Sequence, residues 1–197
     1  MVATDGGKLN MDAFEFFFSF YGLILGLSVA EVITGLVRVF KQRQRIRIGW
    51  LTPMLGLFVL LDITSFWANA WGNMRSLEVS YRLLIFGLAI AGIYYAAASL
   101  VTPDDPEEWP DFDVFYDQHK RYVIGGIWIA NLLAFEVIPA VVDPSGYTKA
   151  VAAPTVWASM AVSNAMLLAL FVIKNRRINI GLLGFGLVMY GVTAVLY

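Results

Sequence analysis

The stretch WLTPMLGLFVLLDITSFWANAW, residues 50–71, decides the fold. It carries a single ionisable side chain, Asp62, in a run long enough to cross about 30 Å of hydrocarbon at about 1.5 Å rise per residue. Five further stretches meet the same requirement: residues 14–40, 83–101, 122–142, 153–173 and 178–197. The first of them exceeds a perpendicular crossing, so it is expected to tilt or to extend beyond the hydrocarbon. The chain is therefore expected to be an all-α integral membrane protein, a polytopic bundle of six transmembrane helices forming one domain over residues 1–197.

Composition agrees. Charged residues make up 15% of the chain and apolar residues 59%, with a mean hydropathy of +0.68. A soluble domain carries about 25% charged residues. The net charge of −1 conceals a segregated distribution that offers no bulk basic surface to a nucleic acid. The first dozen residues lack the basic and short apolar pattern of a cleaved leader, so the first span is expected to stay in place.

Lysine and arginine orient the bundle, because short cytoplasmic connections retain them. Arg38, Lys41, Arg43, Arg45, Arg47, Lys120, Arg121, Lys174, Arg176 and Arg177 fall on one side, against Lys8, Arg75, Arg82 and Lys149 on the other. This distribution predicts non-cytoplasmic termini and, for a bacterial cell, insertion in the inner membrane. The connection over residues 102–121 then lies inside, acidic through Asp104, Asp105, Glu107, Glu108, Asp111, Asp113 and Asp117. Its first half is broken by prolines. Its second half is expected either to be a solvated loop or to form a short interfacial helix resting Phe112, Phe115 and Tyr116 on the headgroups. Trp50, Trp71, Tyr81, Tyr122 and Tyr197 fall near span ends as interfacial anchors, whereas the deeper Trp67, Tyr94, Tyr95, Trp128, Trp157 and Tyr190 are assigned to packing.

Small residues mark close helix approaches. Gly22, Gly26 and Ala30 form a ridge on the first span, Ala161, Ala165 and Ala169 one on the fifth, and Gly181, Gly184, Gly186 and Gly191 punctuate the last. A triplet, Glu31-Val32-Ile33, recurs as Glu136-Val137-Ile138 in spans of opposite direction, the pattern expected of an inverted repeat.

The chemistry rests on three acids inside the spans: Glu31, Asp62 and Glu136. A carboxylate at the bilayer centre costs about 2.5–3.5 kcal/mol on insertion scales, so these side chains are expected to face the bundle interior or water. No lysine lies in a span. Arg38 shares a face with Glu31, but seven residues separate them by about 10 Å of rise. The acids are thus protonated in a dry setting, or compensated by a bound cation or water. Asp62, Ser65 and Asn69 form one polar stripe on the second span; Thr155, Ser159 and Ser163 form another on the fifth, and Asn131 and Asn164 add amides at depth.

Two functions fit. One is an ion or proton channel or an ion-coupled transporter, expected as a homo-oligomer, whose path is lined by Glu31, Asp62, Glu136, Ser65, Asn69, Asn131, Ser159, Ser163 and Asn164. The other is an accessory or scaffold subunit of a larger membrane complex, with these polar groups serving as interhelical glue. An enzyme is not expected. There is no cysteine and one histidine, His119, placed in the acidic connection as a solvated side chain, so no metal site or cofactor is expected. No phosphate-binding loop or nucleophile elbow is found, and a single intramembrane aspartate disfavours a paired-aspartate protease.

Overall fold

The computed structural model describes residues 6–74 and 80–196, with side chains for 18–70 and 80–195. Lys8, Trp71, Arg75 and Tyr197 lie outside the described side chains. Eight α-helices follow in order: α1 (Gly6–Lys41), α2 (Leu51–Met74), α3 (Tyr81–Ser99), α4 (Phe112–Leu132), α5 (Ile138–Val142), α6 (Pro144–Val151), α7 (Pro154–Val172) and α8 (Arg176–Leu196). A π turn, Leu133–Val137, joins α4 to α5, so these form one span of 31 residues, Phe112–Val142. Six helices among the described residues are long and apolar enough to cross a membrane.

Those six close into a ring, α1–α3–α4–α7–α8–α2, with α2 also touching α4 across the middle. Side chains such as Leu25, Phe58, Ile63, Tyr94, Ile127 and Leu183 fill the interior. Close approaches use the small residues unevenly. A Cβ on Gly22 would sit 2.9 Å from the Trp67 ring and one on Gly186 2.7 Å from the Phe58 ring, whereas Gly26, Gly181 and Gly191 face open space. The two Glu-Val-Ile triplets also sit in unlike backbone, since Glu31 lies in regular α-helix and Glu136 in the π turn.

The acidic connection is shorter and less solvated than its composition suggests. Asp111 caps α4 by accepting from the Asp113 N–H at 2.8 Å, so the fourth span begins at Phe112 rather than at residue 122. Phe112, Phe115 and Tyr116 are buried in the bundle and do not lie on a headgroup boundary. The reason is a set of bonds from the α1–α2 connection. Phe112 donates its N–H to the Arg47 carbonyl at 3.2 Å, Thr52 Oγ1 donates to the Phe112 carbonyl at 2.8 Å, and the Leu51 N–H donates to Asp113 at 3.3 Å. Gly49 is required at this junction, because its φ is +67° and a Cβ would overlap the Asp113 carboxylate.

The other basic residues gather on the same end. Arg38 donates to the Pro103 and Asp104 carbonyls, Arg45 pairs with Glu107, and Arg176 pairs with Asp117 at 2.7 Å. Lys120 is not solvated as its sequence position suggests: it is buried and donates to the Ile173 carbonyl, while Arg121 donates to that of Phe171 at 3.2 Å. Two cations thus satisfy carbonyls left over at the C-terminus of α7. His119 is half-buried too, stacked on Phe115 with centroids 4.0 Å apart.

At the opposite end, Asp143 caps α6 by accepting from the Gly146 N–H and the Ser145 hydroxyl, both at 3.0 Å. The Gly146 bond first, then that of Ser145, holds the carboxyl below its ordinary range. A depressed folded value means that the cap is complete above the unfolded aspartate value of about 3.9 and is lost as pH falls through the folded value. The protection factor of the Gly146 amide, taken against its intrinsic exchange rate at each pH, should fall across that acid window, and Asp143→Asn, which keeps a capping oxygen, should hold it constant. Separately, Gly186→Ala forces the buried Phe58 ring to move and should cost about 1–3 kcal/mol by thermal unfolding in detergent. Gly191→Ala, which meets open space, should be neutral or stabilising.

Candidate functional site

Asp62 falls midway along α2 and is buried. A buried carboxyl needs hydrogen-bond partners, and on an apolar helix these come from its neighbours. Three supply them. Tyr94 of α3 reaches Oδ2 at 2.9 Å, Asn131 Nδ2 of α4 reaches Oδ1 at 3.2 Å, and the Tyr190 hydroxyl of α8 reaches Oδ1 at 2.5 Å. Tyr94 Oη also lies 3.1 Å from Asn131 Oδ1, which closes a ring of polar contacts across four helices.

Glu136 owes its place to a backbone irregularity. Pro139 has no N–H to give the Phe135 carbonyl, and its ring would press on that carbonyl in a regular helix. The chain widens just before it, and the Ile138 N–H bonds to Leu133, five residues back. In an α-helix Asn131 and Glu136 would diverge by about 140°, at 100° per residue. The wider turn brings residues five apart toward one side, so both line the same cavity. Asn164 of α7 meets Glu136 there, donating Nδ2 to Oε1 at 2.7 Å, and its Oδ1 accepts from Trp128 Nε1 at 2.7 Å. Because an indole nitrogen can only donate, this contact fixes the amide orientation.

The cavity has a volume of about 490 Å³ and lies between α2, the α4–α5 span, α7 and α8. Asp62, Ser65 and Asn69, Asn131 and Glu136, and Ser159, Ser163 and Asn164 all line it. Glu31 does not. It is half-buried on α1, outside the cavity, and makes no hydrogen bond or ion pair among the described residues. Thr155 is exposed and also lies outside. The lining comes from the halves of the helices nearer α6: residues 58–69 of α2, 158–167 of α7 and 185–193 of α8. Phe58, Leu167 and Gly186 form its inner end toward the basic connections.

The hydroxyls contribute less than their spacing suggests. Ser159 donates to the Val156 carbonyl of its own helix at 2.8 Å and Thr193 to Met189 at 2.9 Å, so neither bonds between helices. The interhelical bonds come from tyrosine, tryptophan and asparagine. Tyr94, Tyr190 and Trp128, assigned to packing from sequence, are the residues that reading missed. A usable signal was present: a phenol or indole deep in a span must find an acceptor, and the deep acceptors are the carboxyls and the amide oxygens of Asn131 and Asn164.

Comparison with protein-family models, curated proteins and solved structures found no match, so the site stands on its own geometry. That geometry makes a stability claim. Asn164→Ala strands the Trp128 N–H and removes the donor to Glu136; leaving such groups unpaired costs about 1–3 kcal/mol. Thermal unfolding should register that loss for Asn164→Ala, and the double variant Asn164→Ala/Trp128→Phe should recover part of it.

Proposed function

We propose that this chain is a multi-pass membrane protein that moves a cation or proton through the cavity between α2, α4, α7 and α8, as a channel or an ion-coupled transporter. One observation carries the reading: the two deepest carboxyls, Asp62 and Glu136, belong to different helices yet line one cavity together with the polar faces of α2 and α7. Each acid is also held in its own hydrogen-bonded cluster, Asp62 with Tyr94, Asn131 and Tyr190 and Glu136 with Asn164, so the shared cavity and not the bonding is what supports transport over a purely structural role. Intramembrane acids are costly, and acids facing a shared cavity are the usual mark of an ion path. The excess of lysine and arginine at one end supports a topology with that end cytoplasmic and both termini opposite, in a bacterial cell across the inner membrane.

Purified protein reconstituted in liposomes provides the test. Proton or monovalent-cation flux should fall at least about tenfold, equivalent to about 1.4 kcal/mol of barrier, in Asp62→Asn and in Glu136→Gln. Glu31→Gln should leave it unchanged, because Glu31 lies outside the cavity. Undiminished flux in the first two variants would remove both carboxyls from the mechanism. Absence of flux in the parent, with a stoichiometric partner retained in mild detergent, would instead support an accessory subunit.

A further inference from the structure

We infer that the ion resident in this cavity is a proton, bonded to Asp62 Oδ2, and not a metal cation. The inference deepens the transport reading above and rests on it for its role, but the proton itself follows from a count of hydrogens. Four polar contacts of 3.2 Å or less link Asp62, Tyr94, Asn131 and Tyr190, and a fifth, Asn131 Nδ2 to Asp62 Oδ2 at 3.5 Å, shares the amide hydrogen already directed at Oδ1. Each of the four needs one hydrogen. With Asp62 ionised, the ring holds three: the two tyrosine hydroxyl hydrogens and the one amide hydrogen that Asn131 turns inward.

Reversing the Asn131 amide does not mend the deficit. Its nitrogen would then donate to Tyr94 Oη, but its oxygen would face Asp62 Oδ1 with no hydrogen between them. Whichever way the amide is placed, the ring closes when Asp62 carries the fourth hydrogen. With the amide placed as in the structure, the fourth hydrogen sits on Asp62 Oδ2 and donates to Tyr94 Oη, Tyr94 donates onward to Asn131 Oδ1, and Oδ1 of the acid accepts from Asn131 and Tyr190.

A metal ion fits this setting poorly, because Asn131 and Tyr190 turn hydrogens toward Asp62 Oδ1 and the single lone pair turned toward Oδ2, that of Tyr94, falls far short of the roughly six oxygens a hard cation takes. Nor do three His, Cys, Asp or Glu side chains converge on a metal-sized site among the described residues. The groups facing Asp62 are Tyr94 from α3, Asn131 from α4 and Tyr190 from α8; from α1, Tyr21 packs on Phe66, which packs on Tyr94. No lysine, arginine or histidine among the described residues lines the cavity. Glu136 does, and its Oε2 makes no hydrogen bond among the described residues, which leaves that oxygen open to receive a proton through cavity water.

Release is then one proton transferred from Asp62 Oδ2 to water, with no change in electron count. Rotation of the Tyr94 hydroxyl turns its hydrogen from Asn131 to the new carboxylate, so the ring has a loaded and an unloaded form that differ by that proton and one torsion.

Infrared spectroscopy of the protein in lipid tests this without requiring transport. The parent should show a carboxylic-acid C=O band that shifts in D₂O and is missing from Asp62→Asn. In Tyr190→Phe the band should persist and move to higher frequency, since the acid's carbonyl oxygen loses one donor. Sodium or potassium chloride added at constant pH should leave it in place. Absence of any band assignable to Asp62, or its loss on adding salt at fixed pH, would overturn the inference. Flux without the band would leave the transport reading standing and remove the proton; the band without flux would do the reverse.

Discussion

A carboxyl buried midway along one helix of an apolar bundle constrains everything around it, because its oxygens need hydrogen-bond partners. Asp62 is met from α3, α4 and α8, so a single side chain on α2 ties four of the six ring helices at one depth. This explains why α2 touches α4 across the ring as well as its neighbours α1 and α8. Apolar packing alone specifies such an arrangement weakly, since lipid tails compete on equal terms with apolar side chains. A polar ring with fixed donors and acceptors supplies the register that dispersion does not.

The spans were legible because the solvent dictates them. Twenty apolar residues with one charge have few alternatives, and the limits of α2, α3, α7 and α8 fall close to where hydropathy puts them. The start of α4 was not legible. Its first two turns are acidic and aromatic, a composition equally suited to a loop, and only contacts with Arg47 and Thr52, some 60 residues earlier, decide the matter.

Within the candidate site the polar inventory was readable but the partners were not. Pairing depends on which helices become neighbours. Period-3.6 reasoning could place Asp62, Ser65 and Asn69 on one face, yet it turns Glu136 away from Asn131, and Pro139 undoes it by widening one turn. Glu31 failed for the opposite reason. It has the right residue type at a suitable depth, but α1 packs on α3 and α2 and none of its described side chains lines the cavity.

The two ends of the bundle are built for different tasks. At the basic end, the acidic connection is stitched to the α1–α2 connection, Lys120 and Arg121 cap α7, and Phe58, Leu167 and Gly186 close the cavity below Asp62. Toward α6 the lining turns to hydroxyls, amides and Glu136, on helix halves with many exposed side chains. On the proposed transport reading, the asymmetry would make Asp62 the inner terminus of a half-path and not the midpoint of an open pore. An alternating mechanism on this scaffold would have to open the inner end, and the movable parts there are few. Gly186 lies against the Phe58 ring with no side chain of its own, so displacement of α8 from α2 would part that contact and the Tyr190–Asp62 bond together. On the proposed pathway, access from the basic end is therefore coupled to loss of one donor to the acid, which links the state of the Asp62 ring to the position of α8.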